Sequence, residues 1–192
     1  MSETPFHLFE SWFSDAKQAE PSDPNAMTVA TVGEDGRPAA RTLLLKEWDE
    51  QGFVFYGNLG SRKAHDMAAN PYVALLFHWK NLYRQIRIEG KVAPVADAQA
   101  DAYFATRPRA SQLGAWASAQ SSPLASREAF EAGLRDIEAR FAGQPVSRPP
   151  FWSGWRLTPD YFEFWQGADF RLHDRKIFKL TPQGWETGLL YP

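Results

Sequence analysis

An α+β fold, a β-barrel decorated with helices, is what this sequence predicts, and three observations carry the expectation. Apolar runs rich in Thr, Val, Leu and Phe, broken by Gly, Pro and Asp turn signals, occupy residues 26–94. Residues 96–142 then change to alanine-rich helical patterns joined by polar, Ser-rich turns. Strand-like runs return over 153–190 and close the sheet. No repeat, low-complexity tract or long linker divides the 192 residues, so one domain is expected over 1–192, with an N-terminal helix within 1–20 and a helical insertion at 96–142.

The elements follow in order. Residues 5–19, PFHLFESWFSDAKQA, place Phe6, Leu8, Phe9, Trp12, Phe13 and Ala16 at helical spacing, and the turn-rich EPSDPN ends that helix. Three antiparallel strands are expected at 27–33, 38–47 and 53–57, with GEDGRP and DEQG as the hairpin turns. SRKAHDMAANP reads as a short helix capped by Ser61 and stopped before Pro71. Strands at 72–78 and 83–94 follow. The insertion supplies three helices, within ADAQADAYFATRP, RASQLGAWASAQ and SREAFEAGLRDIEARFAG. The last strands are expected at 153–158, 161–166, 170–179 and 184–190.

Composition excludes several classes of function. The chain is 44% hydrophobic and 15% aromatic, enough for a sizeable core, but its net charge of −2 offers no global basic field for a nucleic-acid backbone. Any anion site must be local. The absence of cysteine removes disulfides, thiolate nucleophiles, zinc ribbons and iron–sulfur clusters, and suits a reducing cytoplasm. The N-terminus lacks a signal-peptide pattern and no run of apolar residues is long enough to span a membrane. His7, His65 and His78 lack metal-ligand spacing, so no metal is expected. Neither G-x-S-x-G, G-x-G-x-x-G nor a P-loop occurs.

Local anion sites are what remain. In NLGSRKAHD, Arg62 and Lys63 occupy the first turn of a helix, where cations oppose the helix dipole unless a bound anion offsets them; two solvated surface charges read equally well. RTLLLK sets Arg41 and Lys46 on opposite faces of a regular strand. Tyr103, Arg107, Arg109 and Ser111 meet at a helix–turn–helix junction fixed by Pro108, a second candidate anion pocket, although arginines at such turns are commonly surface residues. If 170–179 is a strand, Arg171, His173 and Arg175 share one polar face, lining either a cavity or a solvated edge.

RTLLLK, FYGNLGSRKAHD, YRQIRIEGK, YFATRPRASQLGAWASAQSS and FEFWQGADFRLHDR, in this order and at these separations, closely resemble the pyridoxine/pyridoxamine phosphate oxidase family, FMN enzymes that make pyridoxal phosphate. The likeness runs from about residue 5 to the C-terminus, and E-F-W-Q-x4-R-L-H-D-R is its most specific part. It implies a split β-barrel homodimer with FMN at the subunit interface, oxidising a phosphorylated B6 vitamer with O2. By that resemblance Arg41, Thr42, Leu43, Leu44, Leu45, Lys46, Tyr56, Gly57, Arg62, Lys63, Gln85, Gln120, Ser121, Trp165 and Arg175 contact FMN. Lys46, Tyr103, Arg107 and Ser111 hold the substrate phosphate, and Arg171 and His173 act over the pyridine ring as the catalytic pair.

The chain also departs from the pattern. The family commonly has a longer N-terminal arm with an Arg and a Tyr that fold over substrate, whereas this sequence starts at the first helix. Leu189 stands where the family's terminal R-L-x-P has its arginine, and Gly57 where a small hydroxyl residue is frequent. Two other readings stay open: a related flavin oxidase acting on another ring, as in phenazine pathways, and a non-catalytic FMN- or pyridoxal-phosphate-binding protein. The Arg171-x-His173 pair argues against the latter.

Overall fold

The computed structural model describes residues 4–192; residues 1–3 of the expected N-terminal segment lie outside the described residues. Thr4 opens α1 (Pro5–Ala19), its hydroxyl accepting the His7 N–H at 3.3 Å, with Pro5 where an amide donor is not needed. Phe6, Phe9, Phe13 and Ala16 form one buried stripe that lies over the sheet. Phe9 meets Phe53 edge-on at 4.9 Å and Phe6 meets Phe162 at 5.4 Å. Each buried phenylalanine stabilises the docking by roughly 2 kcal/mol.

Nine strands form one antiparallel sheet that curls into a half-barrel: β1 (Ala26–Val32), β2 (Pro38–Leu44), β3 (Glu47–Asp49), β4 (Gly52–Asn58), β5 (Tyr72–Trp79), β6 (Arg84–Pro94), β7 (Trp152–Gln166), β8 (Asp174–Thr181) and β9 (Gly184–Leu189). The order is β2-β1-β5-β6-β7-β4-β3, with β8 on β7 and β9 on β8. The α+β expectation holds. Two of the expected strands, 153–158 and 161–166, are instead one. β7 pairs with β6 from Trp155 to Gln166, while its other edge serves β4 over its first half and β8 over its second.

The change of partner falls at a bulge. The register with β6 shifts between Glu89 and Gly90, opposite Pro159, whose missing N–H is tolerated only at such an interruption. Gly90 is required there, because a Cβ would lie 2.1 Å from the Thr158 carbonyl oxygen.

Three further expectations need correction. The strand expected over 38–47 ends at Leu44, and Glu47–Asp49 forms the separate β3. Ser61 occupies the N-cap position of α2 (Arg62–Ala69) without a side-chain cap, since its hydroxyl donates to the Asn58 carbonyl at 2.7 Å and accepts from Lys63 Nζ at 2.9 Å. The strand expected at 170–179 begins only at Asp174. Phe170 and Arg171 have φ of +55° and +64°, left-handed backbone that no strand can continue through, and Leu172 N–H closes a tight turn on the Asp169 carbonyl at 3.1 Å. Arg171, His173 and Arg175 therefore do not alternate along one strand.

The helical segment comprises α3 (Asp97–Thr106), α4 (Arg109–Ala117) and α5 (Arg127–Arg140), which bury Phe104, Leu113, Phe141 and Val146 around Trp152 at the start of β7. Arg148 straps this layer to the sheet, donating to Asp101 at 2.6 Å, Asp97 at 2.8 Å and the Trp152 carbonyl at 2.7 Å. No helix among the described residues is long and apolar enough to cross a membrane.

Candidate active site

Where the helical layer meets β4 and the end of β2, a cleft of about 620 Å³ opens. Its size is that of a small-molecule site. Leu43, Leu44 and Lys46 line one wall, Tyr56 and Gly57 the floor, and Tyr103, Arg107, Ser111 and Gln120 the helical side. The floor is aromatic: Tyr56 stacks on Tyr103 at 4.0 Å and lies nearly parallel to Trp152 at 5.4 Å. Burial, then the hydrogen bond to Glu47, pushes the Tyr56 phenol well above its usual range, and burial raises Tyr103, so both remain neutral hydrogen-bonding groups.

Arg107 follows the last turn of α3, its guanidinium 4.8 Å over the Trp152 ring. Its Nη1 is buried without a hydrogen-bond partner, a costly arrangement by itself and a ready one for an oxyanion. Burial works against its charge in the same way.

A second cationic group adjoins the cleft. Lys63 is buried on α2, and its ammonium donates to Ser61 Oγ at 2.9 Å and Gln120 Oε1 at 2.7 Å. Burial, and then the neighbouring Arg41, lower its pKa to about 8. The lysine fits because residue 57 is glycine: a Cβ there would lie 2.9 Å from its Nζ. Arg41 is held by Thr31 Oγ1 at 2.6 Å and by the buried Asp66 at 3.5 Å. Arg62 lines a separate shallow cleft with Arg37 and Asp66. Thr42 lies between Arg41 and the wall residues on β2, Leu45 is core, and Ser121 stands beside Gln120 with a left-handed φ of +72°.

The remaining sequence-predicted residues assemble elsewhere. Gln85, Trp165 and Arg175 are consecutive cross-strand partners on β6, β7 and β8. The His173 ring packs 4.6 Å from Trp165, and its Nδ1 accepts the Ala168 N–H at 3.2 Å. Arg175 is aimed by Glu163, a buried carboxylate at 2.7 Å that also binds Arg87 at 2.9 Å. Its Nη1 donates to the Tyr191 carbonyl at 3.0 Å. Arg171 is exposed at the turn. Apolar Phe170 and Leu172 stand 92% and 68% exposed beside this group, an uncovered surface.

Within one chain the residues thus fall into two groups, one around Arg107 and Lys63 and one around Trp165 and Arg175. Sequence reasoning missed the residues that hold these groups: Glu47, Asp66, Asn58, Trp152 and Glu163. Glu163 sits inside the quoted E-F-W-Q motif, and Asn58 and Asp66 inside FYGNLGSRKAHD, so these were legible there; nothing local signals that the Asn58 amide donates to the Ser118 carbonyl at 2.9 Å.

A family model described as pyridoxamine 5'-phosphate oxidase matches residues 13–141, and one described as the pyridoxine 5'-phosphate oxidase C-terminal dimerisation region matches residues 152–192. Among curated proteins, a pyridoxine/pyridoxamine 5'-phosphate oxidase of Sphingopyxis alaskensis is 62% identical, covering 100% of this chain and 89% of the relative. One of Zymomonas mobilis is 51% identical over 100% of both. The solved structure of PhzG from Burkholderia lata 383, in complex with tetrahydrophenazine-1-carboxylic acid, superposes with a TM-score of 0.94 at 30% identity, covering 100% of this chain and 94% of that one. A pyridoxamine 5'-phosphate oxidase-related, FMN binding protein from Nostoc punctiforme shares the fold, with a TM-score of 0.80 at 19% identity over the full length of both chains.

Proposed function

The chain belongs to the pyridoxine/pyridoxamine 5'-phosphate oxidase family, and on that premise we propose that its two residue groups are complementary halves of one site, met across a dimer. It is an FMN-dependent oxidoreductase that converts pyridoxine 5'-phosphate or pyridoxamine 5'-phosphate to pyridoxal 5'-phosphate. O2 is the electron acceptor and leaves as H2O2; the amine substrate also takes up water and releases ammonia. The enzyme is a cytoplasmic homodimer, in keeping with its dimerisation region and its lack of cysteine.

The observation that carries this reading is the buried, unpartnered Arg107 Nη1 at a cleft that Lys46, Tyr103 and Ser111 also line. These four hold the substrate phosphate. Lys63, Arg62, Arg41, Gln120 and Ser121 hold the flavin nucleotide from the neighbouring wall, beside Gly57, whose missing side chain leaves room for the Lys63 ammonium. When bound, FMN would supply the redox chemistry, as acceptor of the hydride equivalent from the substrate's C4′ carbon and reductant of O2. The protein's part is positioning.

The second protomer completes each site with Gln85, Trp165, Arg171, His173 and Arg175. The exposed apolar residues beside that group are what a subunit interface would cover. Arg171 and His173 orient the vitamer's ring and its amine or alcohol, and two phosphate clamps make the encounter effectively unimolecular.

The purified protein, reconstituted with FMN, is mixed with each phosphorylated vitamer while peroxide and pyridoxal phosphate are followed. Turnover of either vitamer is expected. Flavin binding without turnover of either would overturn the assignment, and oxidation of a reduced phenazine carboxylate instead would favour the second reading that the Burkholderia lata neighbour suggests.

A further inference from the structure

We infer that Glu47, a residue outside the set assigned to either ligand, is a positioning residue that fixes the substrate-phosphate wall of the cleft. This deepens the reading above and rests on it. Glu47 begins β3, directly opposite Val54 on β4, so its side chain lies on the same face as Tyr56 two residues further on. Its Oε1 accepts the Tyr56 O–H at 2.8 Å and its Oε2 accepts Gln99 Nε2 at 2.8 Å. Both carboxylate oxygens are thereby committed, one to the sheet and one to α3.

The consequence travels along α3. Gln99 and Tyr103 are four residues apart and so share one face of the helix, and Arg107 follows after a further turn. Tyr103 is pinned from the other side by its stack on Tyr56 at 4.0 Å. A single carboxylate therefore sets both tyrosines against each other and orients the helix end that presents Arg107. Of the phosphate-holding residues, Tyr103 and Arg107 are the two that Glu47 acts through; its own carboxylate is committed to Tyr56 and Gln99.

The test compares steady-state kinetics at saturating FMN, with wild-type turnover of pyridoxine 5'-phosphate measured first. Absence of wild-type turnover would sink the parent reading rather than this one. Given turnover, Glu47→Ala is expected to raise KM about tenfold with kcat changed by less than about twofold, the signature of lost ground-state binding. Glu47→Gln should return KM to within about threefold of wild type, since its amide oxygen still accepts from Tyr56 and Gln99 can turn its own amide. In a Tyr56→Phe background Glu47→Ala should cost less than it does alone, because the two share one bond. An unchanged KM in Glu47→Ala, no rescue by glutamine, or additive losses would each overturn the inference. If Glu47→Ala fails to fold, Gln99→Leu, which removes only the helix-side bond, must raise KM by itself; an unchanged KM there is equally fatal.

Discussion

Lys63 Nζ donates to Gln120 Oε1 at 2.7 Å, tying a buried ammonium on α2 to the loop that follows α4. With its pKa lowered to about 8, this lysine loses its charge as the pH rises through about 8. Flavin affinity is therefore expected to fall between about pH 7 and about pH 9.5 in the wild type and to stay level in Lys63→Arg, whose charge persists. Flavin fluorescence quenching measures both. The stability of the flavin-free protein should move the other way. Between about 8 and 10.5 the unfolded chain binds more protons at this site than the folded one, so stability rises with pH across that window.

Arg107 should separate function from stability. Removing its guanidinium in Arg107→Ala deletes a charge-assisted grip on phosphate and is expected to raise KM roughly 10–100-fold. Resistance to urea should stay within about 1 kcal/mol of wild type, because a buried group without a partner is lost along with its contact over Trp152. A large loss of stability would mean that Arg107 is structural.

Gly57→Ala is a steric probe of the lysine. Its Cβ would press on Nζ and Cε of Lys63 at 2.9 Å, and the side chain cannot yield without breaking its bonds to Ser61 and Gln120. Flavin affinity should drop several-fold, about 1 kcal/mol, while KM for the vitamer at saturating flavin changes little. Titration calorimetry with FMN reads the first quantity.

Glu163→Ala takes the buried carboxylate from two arginines at once, Arg87 keeping its exposed pair with Glu89 at 3.3 Å. Both Arg87 and Arg175 keep some solvent contact, so the expected loss is about 2 kcal/mol, below that for a fully buried pair. Urea unfolding at neutral pH checks it. Flavin affinity should fall as well, since Arg175 then keeps only the Tyr191 carbonyl to aim it.

Periodicity carried much of the architecture. The phenylalanine stripe of α1, the hairpin turns and the alanine-rich helices were all readable because each is a local pattern of apolar spacing. What could not be read was long-range or conformational. Nothing local says that 153–166 runs unbroken through a proline, because the glycine that permits the bulge, Gly90, lies far off in the sequence, in β6. Nor does R-L-H-D-R disclose that Phe170 and Arg171 turn left-handed; alternation of charge imitates a strand there. Within the cleft, residues that carry charge were identifiable by type, while their holders, Glu47 and Asp66, look like ordinary surface acids until the sheet brings their partners to them.

β7 acts as a ruler. Trp152 at one tip belongs to the Arg107 cleft and Trp165 near the other to the Arg175 group, with roughly 40 Å of strand contour between them. Under the proposed pairing, a protomer with a defect at one tip still offers an intact opposite tip to its mate. Co-expressed Arg107→Ala and Arg171→Ala chains, each impaired by itself, should therefore complement one another at low substrate concentration, regaining one fully working centre in every mixed pair.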